Sequence, residues 1–204
     1  MTREDIIHKG ITAALSLAAE TPWADLTLKR IADKAGVSIS DFHGVADKAD
    51  LAAGMEAYFD KAMSEGSFES DETPRTRLFD VIMMRFEAME EARDGVISYL
   101  KWRDRSLTGL TNRVTGRAAT AHWALSCSGL DGGKSIPLPL KITGLAWAIG
   151  KAEQSWKQET SPDLTRTMAT LDSELITLGE RAKWLKPRRK AEPQPQDSAA
   201  EESS

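Results

Sequence analysis

The sequence has little of what disulfide frameworks, metal centres and membrane spans require. One cysteine, Cys127, among 204 residues excludes a disulfide framework and a cysteine-built zinc site. The three histidines, His8, His43 and His122, are scattered, so we expect no bound metal and no cofactor. No apolar run approaches the roughly 18 residues that a membrane-spanning helix needs. The N-terminus has acids where a signal peptide has basic residues, so we expect a cytoplasmic protein.

Catalytic signatures are also missing. The chain contains neither Gly-x-Ser-x-Gly nor His-Glu-x-x-His. The segment Gly132-Gly133-Lys134-Ser135 resembles the end of a phosphate-binding loop, but it lacks the first glycine and a preceding strand. We therefore expect a protein that is not an enzyme.

The negative charge is concentrated at the start of the chain. The whole chain has 27 basic and 31 acidic residues and a net charge of −4. Residues 1–60 hold six basic and ten acidic residues, so the entire excess lies there. Affinity for DNA comes mainly from neutralising phosphates, so this charge opposes DNA binding. A basic stretch at 93–117 could bind an anion or a partner, but it is more simply interpreted as a solvated helix surface.

Helical patterns extend along nearly the whole chain, and no strand pattern or internal repeat competes with them. The polar segment 67–74 is the predicted boundary between a head and a body. We expect an all-α fold with a helix-turn-helix head (1–47), a connecting helix (48–66), a body (67–186) and a disordered polar tail (187–204). Predicted helices cover 3–19, Leu28–Ala35, 39–44, 48–65, 74–89, 92–103, 106–127, 138–158, and a last one opened by Ser161-Pro162-Asp163 and ended by Pro187.

Residues 26–42 are the most informative segment. Thr27 is a good N-cap for a short helix, Gly36 supplies a turn, and Ser38 can cap a second short helix. Two short helices joined in this way form a helix-turn-helix pattern. The apolar residues that pack the two helices together are Ile31, Ala32, Ala35, Val37 and Phe42.

Here the sequence resembles the TetR family of transcription regulators. The matching residues are Thr27, Ile31-Ala32 and Ala35-Gly36-Val37-Ser38, and Lys48 with Leu51 resembles the opening of the family's fourth helix. The resemblance implies a three-helix DNA-binding head, a connecting helix, and a body that dimerises and encloses a small-molecule pocket. The implied partners are DNA, a small apolar ligand or lipid, and a second copy of the chain.

We expect contacts to phosphates from Arg3, Lys29, Arg30 and Lys48, and contacts to bases or backbone from the side chains of the second short helix. This helix departs from the family pattern, since no lysine or arginine lies between Lys34 and Lys48. Binding is therefore expected to be weak or to depend strongly on the dimer. The candidate DNA-binding residues are Thr27, Lys29, Ser38, Ser40, Asp41, His43 and Lys48.

An alternative function follows from a second resemblance. The lipid-binding accessory proteins of ubiquinone biosynthesis share the TetR fold without binding DNA, and the chain is similar to them in its uncharged recognition helix. Further similarity lies in residues 77–86 and in Trp156 ahead of 161–172. This alternative is a DNA-incompetent protein that binds a lipid or isoprenoid, or a protein partner. A helical dimer with a closed pocket and a role in protein interaction is a third.

Methionine and tryptophan in the body are candidates for an apolar pocket, because both side chains adapt well to apolar ligands. Such residues at helical spacing also build ordinary cores and dimer interfaces, and that alternative stays open. His122 is a candidate for orienting a ligand headgroup, and Cys127 is expected to be a small buried residue. The candidate pocket residues are Met83, Phe86, Met89, Trp102, Trp123 and Trp147.

Overall fold

The computed structural model describes residues 2–66, 72–132 and 135–185, with only the backbone described at 183–185. Within these ranges all regular structure is helical, so the predicted all-α class is confirmed. The predicted loop at 67–74 lies partly outside the described residues, and the predicted tail at 187–204 lies wholly outside them. The helices are α1 (Arg3–Ala18), α2 (Leu28–Ala35), α3 (Ile39–Phe42), α4 (Lys48–Asp60), α5 (Pro74–Glu90), α6 (Arg93–Arg103), α7 (Leu107–Cys127), α8 (Leu138–Lys157) and α9 (Thr165–Leu185), with 3₁₀ segments at Trp23–Asp25 and Lys61–Glu65.

Short polar side chains start most of these helices. In a capping box, the N-cap side chain accepts a backbone N–H of the first turn, and the N3 side chain accepts the N–H of the cap residue. Single caps begin α2 at Thr27, α5 at Thr73 and α7 at Ser106. Complete capping boxes begin α1 with Thr2 and Asp5, α3 with Ser38 and Asp41, and α4 with Asp47 and Asp50.

The last helix begins later than the sequence predicts. Ser161-Pro162-Asp163 forms a turn, and α9 starts at Thr165. Leu164 adopts a φ of 53°, and its buried side chain anchors this turn in the core. The cap comes from the preceding segment, because the Glu159 carboxylate accepts the Thr167 N–H at 2.9 Å. An acceptor eight residues away is invisible to capping rules based on local spacing.

The second helix of the turn motif is also shorter than predicted. It covers Ile39–Phe42 and not 39–44, since His43 leaves the helical region and Gly44 takes a φ of 72°. The fourth helix ends at Asp60, and its predicted last turn is the 3₁₀ segment Lys61–Glu65.

One continuous core joins the first helices to the rest of the molecule. Helix α1 packs on α2, α4 and α6, and α8 packs extensively on α7 and α9. Trp23 is fully buried where the turn after α1 meets α6, with its ring centroid 5.1 Å from that of Tyr99 and 6.0 Å from that of Trp102. The described helices include none that combines the length and apolar character of a membrane span.

Candidate nucleic-acid interface and the body behind it

The corner formed by α2 and α3 is the candidate nucleic-acid interface. Gly36 ends α2 with a left-handed φ of 67°, and the Val37 N–H returns to the Ala32 carbonyl at 3.1 Å. Ile31 and Phe42 are buried and hold the two helices against the core. The outer surface of the corner therefore belongs to the polar residues of α3 and to the exposed side of α2.

Three of the predicted contact residues hold the first turn of α3 together. The Ser38 hydroxyl accepts the Ser40 N–H at 3.3 Å, and the two serine hydroxyls lie 2.7 Å apart. The Asp41 carboxylate accepts the Ser38 N–H at 3.0 Å. Thr27 similarly accepts the Arg30 N–H at the start of α2. These side chains are exposed, but much of their hydrogen-bonding capacity is used inside the corner.

Lys48 points into the protein. Its Nζ donates to the carbonyls of Ala24 at 2.9 Å and Leu26 at 2.7 Å, and lies 6.0 Å from the centroid of the Trp23 ring. Partial burial lowers the pKa of this lysine, although Asp25 acts in the opposite direction. Lys48 thus ties the turn after α1 to the start of α4, and its contact with phosphate stays a prediction.

The remaining candidates lie on the outside of the head. Lys29 forms an ion pair with Asp33 at 3.2 Å, in which both side chains are exposed. His43 is exposed, and it lines a shallow depression of about 550 Å³ together with Arg3 and Ile39. Arg3 comes from the start of α1, so the fold brings a cation next to α3 that α3 itself does not have.

The structure also explains the acidic residues of the head. Glu56 and Asp60 are buried in the body, so residues 1–50 carry six basic against eight acidic residues. The head surface is therefore less negative than the charge of the first 60 residues suggests. The aspartates that complete capping boxes, rather than standing free at the surface, are Asp5, Asp41, Asp47 and Asp50.

Behind the head lies a buried ion cluster, which we define as Glu56, Asp60, Arg85, Arg103 and Glu153. Arg85 forms ion pairs with Glu56 and with Asp60, its Nε lying 2.8 Å from Asp60 Oδ1 without hydrogen-bond alignment. Arg103 is fully buried and bridges Glu56 Oε1 at 2.9 Å and Glu153 Oε1 at 2.6 Å. These five side chains come from α4, α5, α6 and α8, so the cluster ties the connecting helix to the body.

The interpretation of residues 93–117 as a solvated surface is wrong for three of its arginines. Arg103 is buried, and Arg117 of α7 pairs with Glu153 at 2.6 Å. Arg93 donates to the carbonyls of Trp156 at 3.0 Å and Glu159 at 2.8 Å. The long guanidinium side chains of this stretch point inward because they form ion pairs with a buried carboxylate and hydrogen bonds with backbone carbonyls.

The cluster contains three carboxylates and two guanidinium groups, and the pKa values of Asp60 and Glu153 are shifted in opposite directions. Burial, with a smaller contribution from Glu56, raises the pKa of Asp60 to about 6, although Arg85 and Thr120 act in the opposite direction. Burial also disfavours ionised Glu153, but Arg103, Arg117 and Lys157 outweigh it and lower its pKa to about 2. Of these two carboxylates, Asp60 is therefore the one that is protonated more readily as the pH falls.

Sequence reasoning did not find this cluster, although a signal was present. Arg85 lies on the same helical face as Ile82 and Met89, and Glu153 on the same face as Ile149 and Trp156. A charged residue on an apolar helical face predicts either a break in the face or a buried partner. Which partner it finds depends on the helix packing.

The predicted pocket residues do not meet in one cavity. Met83, Phe86 and Met89 are buried in the core along α5. Trp123 is 45% exposed and donates its Nε1–H to the Asp60 carbonyl at 3.0 Å. Trp147 is 61% exposed, with the Lys151 Nζ 5.2 Å from its ring centroid.

Trp102 lines an open groove of about 680 Å³ between the turn after α1 and α6. His122 is exposed, which leaves it outside any enclosed site. Cys127 is half-buried rather than fully buried, and burial raises the pKa of its thiol. A second cavity, of about 270 Å³, lies between α5, α7, α8 and α9, and sequence reasoning did not predict it.

Comparison with solved structures places this architecture in a known fold. A TetR transcriptional regulator from Nitrosomonas europaea ATCC 19718 is similar with a TM-score of 0.68 and 18% identity, over 88% of this chain and 98% of that one. A TetR transcriptional regulator from Rhodococcus sp. RHA1 is similar with a TM-score of 0.60 and 16% identity, over 87% of this chain and 98% of that one. A tetR-family transcriptional regulator from Streptomyces coelicolor is similar with a TM-score of 0.58 and 19% identity, over 91% of this chain and 88% of that one.

No protein-family model matches the sequence, and no curated protein is significantly similar to it. The comparison with known proteins therefore rests on structural similarity alone. The chain has the TetR regulator fold over most of its length, which confirms the resemblance first seen in residues 27–38.

Proposed function

We propose that the chain is a homodimeric transcription regulator that binds DNA through the α2–α3 corner and is controlled by a small apolar molecule bound in its body. The observation that carries this proposal is the similarity over most of the chain, head included, to three structures named as TetR regulators. The corner supports it, since Ser40 and Lys29 are exposed there, and the exposed His43 lines one depression together with Arg3.

In this mechanism the ligand acts through α4. Glu56 and Asp60 fix the end of α4 to Arg85 of α5 and Arg103 of α6. A ligand that shifts the body helices therefore also shifts α4 and the head attached to it. In a dimer this changes the separation of the two corners, so that they no longer match the half-site spacing on DNA.

The test is fluorescence anisotropy of the full chain with DNA from upstream of its own coding sequence and with a scrambled duplex, from low to physiological salt. We expect saturable binding that prefers the native duplex and weakens as salt rises. Arg3→Ala and Lys29→Ala should each weaken binding to both duplexes and reduce the salt slope by about one. His43→Ala should change the preference between the duplexes.

Arg166→Ala is the matched control, because Arg166 is an exposed arginine on α9. It should leave both affinity and salt slope unchanged. Absence of binding to the native duplex at low salt would reject DNA binding by this head.

The short α3 motivates a second candidate function, which the comparisons with solved structures do not favour. It is one turn long, it has no cation, and its polar side chains bond to one another. These features suit a head that serves only as a scaffold, with the body binding a lipid or a protein partner. This second function predicts no anisotropy change at any salt and a lipid that co-purifies with the protein and is detected by mass spectrometry.

A further inference from the structure

The cavity between α5, α7, α8 and α9 has the composition of a binding site. We call it the leucine cavity, because seven leucines line it. Three of them are buried, three are half-buried, and Leu140 is 51% exposed. The described lining includes no residue of α1–α4 or of α6 and none of the five residues of the ion cluster, so the cavity is separate from that cluster and from the groove beside the head. The seven leucines are Leu78, Leu125, Leu130, Leu140, Leu145, Leu175 and Leu178.

The volume of the leucine cavity suits a short alkyl chain. It measures about 270 Å³, near the lower end of small-molecule sites. A methylene group takes up about as much space as a water molecule, roughly 30 Å³. The cavity therefore accommodates roughly nine chain carbons.

Three cations lie along the lining, and no acidic side chain among the described residues does. Arg75 pairs with Asp172 at 3.1 Å, and Lys141 donates to the Leu130 carbonyl at 2.9 Å and to the Gly132 carbonyl. Arg181 is exposed and forms no ion pair with the described residues. An apolar interior with an available guanidinium at its edge is complementary to a chain that ends in an anion.

The end of the chain itself does not suit this cavity. Residues 186–204 contain no large apolar side chain, so they cannot supply apolar contacts to the seven leucines. A second copy of the chain covering the cavity is a distinct occupant, which the experiment below detects.

We propose that the leucine cavity binds the alkyl chain of an anionic amphiphile of about ten carbons, with the anionic headgroup at Arg181. The site is a candidate for the effector site of the proposed function, and only that regulatory role rests on DNA binding by the head. The experiment measures ligand binding without DNA, so its failure is distinguishable from failure of the head to bind DNA.

The test is isothermal titration of the full chain with hexanoate, octanoate and decanoate below their micelle concentrations, and with decanol as the uncharged match. We expect one site per chain and an affinity that rises about fourfold for each added methylene up to decanoate. Chains longer than the cavity should gain little more. Decanol should bind about tenfold more weakly than decanoate.

Two variants locate the site. Arg181→Gln should weaken the binding of decanoate about tenfold and leave the binding of decanol unchanged. The control is Arg166→Gln, at an exposed arginine earlier on α9, and it should change the affinity for neither ligand. Ala182→Phe places a ring into the lining and should abolish decanoate binding while hexanoate still binds. Thermal unfolding of each variant without ligand shows that it is folded.

Three results would each overturn the proposal. One is equal affinity for decanoate and decanol, and another is the absence of any dependence on chain length. The third is loss of decanoate binding as the protein concentration rises and the chain associates, which would show that a second copy covers the cavity.

Discussion

Asp60 is a buried carboxylate of the ion cluster whose ionisation the fold disfavours. Its pKa is raised to about 6, chiefly by burial, from an ordinary value near 4. Below pH 4 the group is protonated in both the folded and the unfolded chain. As the pH rises from 4 to 6, the unfolded chain releases this proton first, so Asp60 destabilises the fold over that range. Glu153 has the opposite effect, because its lowered pKa stabilises the fold above about pH 4.

The first prediction concerns Asp60→Asn. The free energy of unfolding of this variant relative to wild type should rise by about 2–3 kcal/mol between pH 4 and pH 7, because asparagine has no proton to release. Urea unfolding of both proteins across this range measures the difference. Asp33→Asn, at an exposed ion pair, is the control and should give a flat difference. A flat difference for Asp60→Asn as well would show that the carboxylate ionises without penalty.

At the scale of helices, the head is joined to the body where α1 crosses α6. A Cβ placed on Gly95 would lie 2.1 Å from the Leu15 carbonyl oxygen and 2.8 Å from its carbon. Both atoms belong to the backbone of α1, so neither can move aside without moving the helix. The absence of a side chain at Gly95 thus sets the distance between α1 and α6.

The second prediction is that Gly95→Ala separates these helices and lowers the free energy of unfolding by about 3 kcal/mol. The control is Gly179→Ala in α9, where a Cβ meets no atom within 4 Å. That change should leave the free energy of unfolding unchanged or raise it by up to about 1 kcal/mol, because alanine favours the helix more than glycine does. Urea unfolding followed by tryptophan fluorescence measures both, since Trp23 lies at the same junction. Wild-type stability of Gly95→Ala would rule out so close a crossing.

At the scale of the whole molecule, α8 and α9 leave apolar side chains exposed. Leu140 and Trp147 of α8 are 51% and 61% exposed, and Ile176 of α9 is 45% exposed. Leu140 and Trp147 are seven residues apart, which places them on one face of α8. Exposed large apolar residues on one helical face are typical of an interface. Leu140 also lines the leucine cavity, so we assign to the proposed homodimer the part of this face around Trp147.

The third prediction is that Trp147→Glu converts the dimer to a monomer in size-exclusion chromatography with light scattering at micromolar concentration. A buried carboxylate opposite its own symmetry mate is strongly unfavourable in a two-fold interface. Leu107→Glu is the matched control, because Leu107 is 86% exposed at the start of α7, and it should remain dimeric. A dimer that survives Trp147→Glu would place the interface elsewhere.

The sequence by itself determined the elements of this fold. Capping residues, glycine at turns and apolar spacing act within a few residues, so α2 was predicted at its observed bounds and most other helices within one or two residues. The helix-turn-helix pattern depends on the same local rules and, with the family resemblance, led to the correct fold. The failures at α3 and α9 arose where Gly44 and Glu159 override the local pattern.

Only the tertiary structure decided which side chains meet. Lys48 pairs with carbonyls more than twenty residues away, and Arg103 with a carboxylate fifty residues away. The predicted pocket residues lie in different places, while seven leucines from α5, α7, α8, α9 and the turn after α7 line a cavity. Contacts of this kind follow from the relative placement of whole helices, which depends on the packing of all their faces at once.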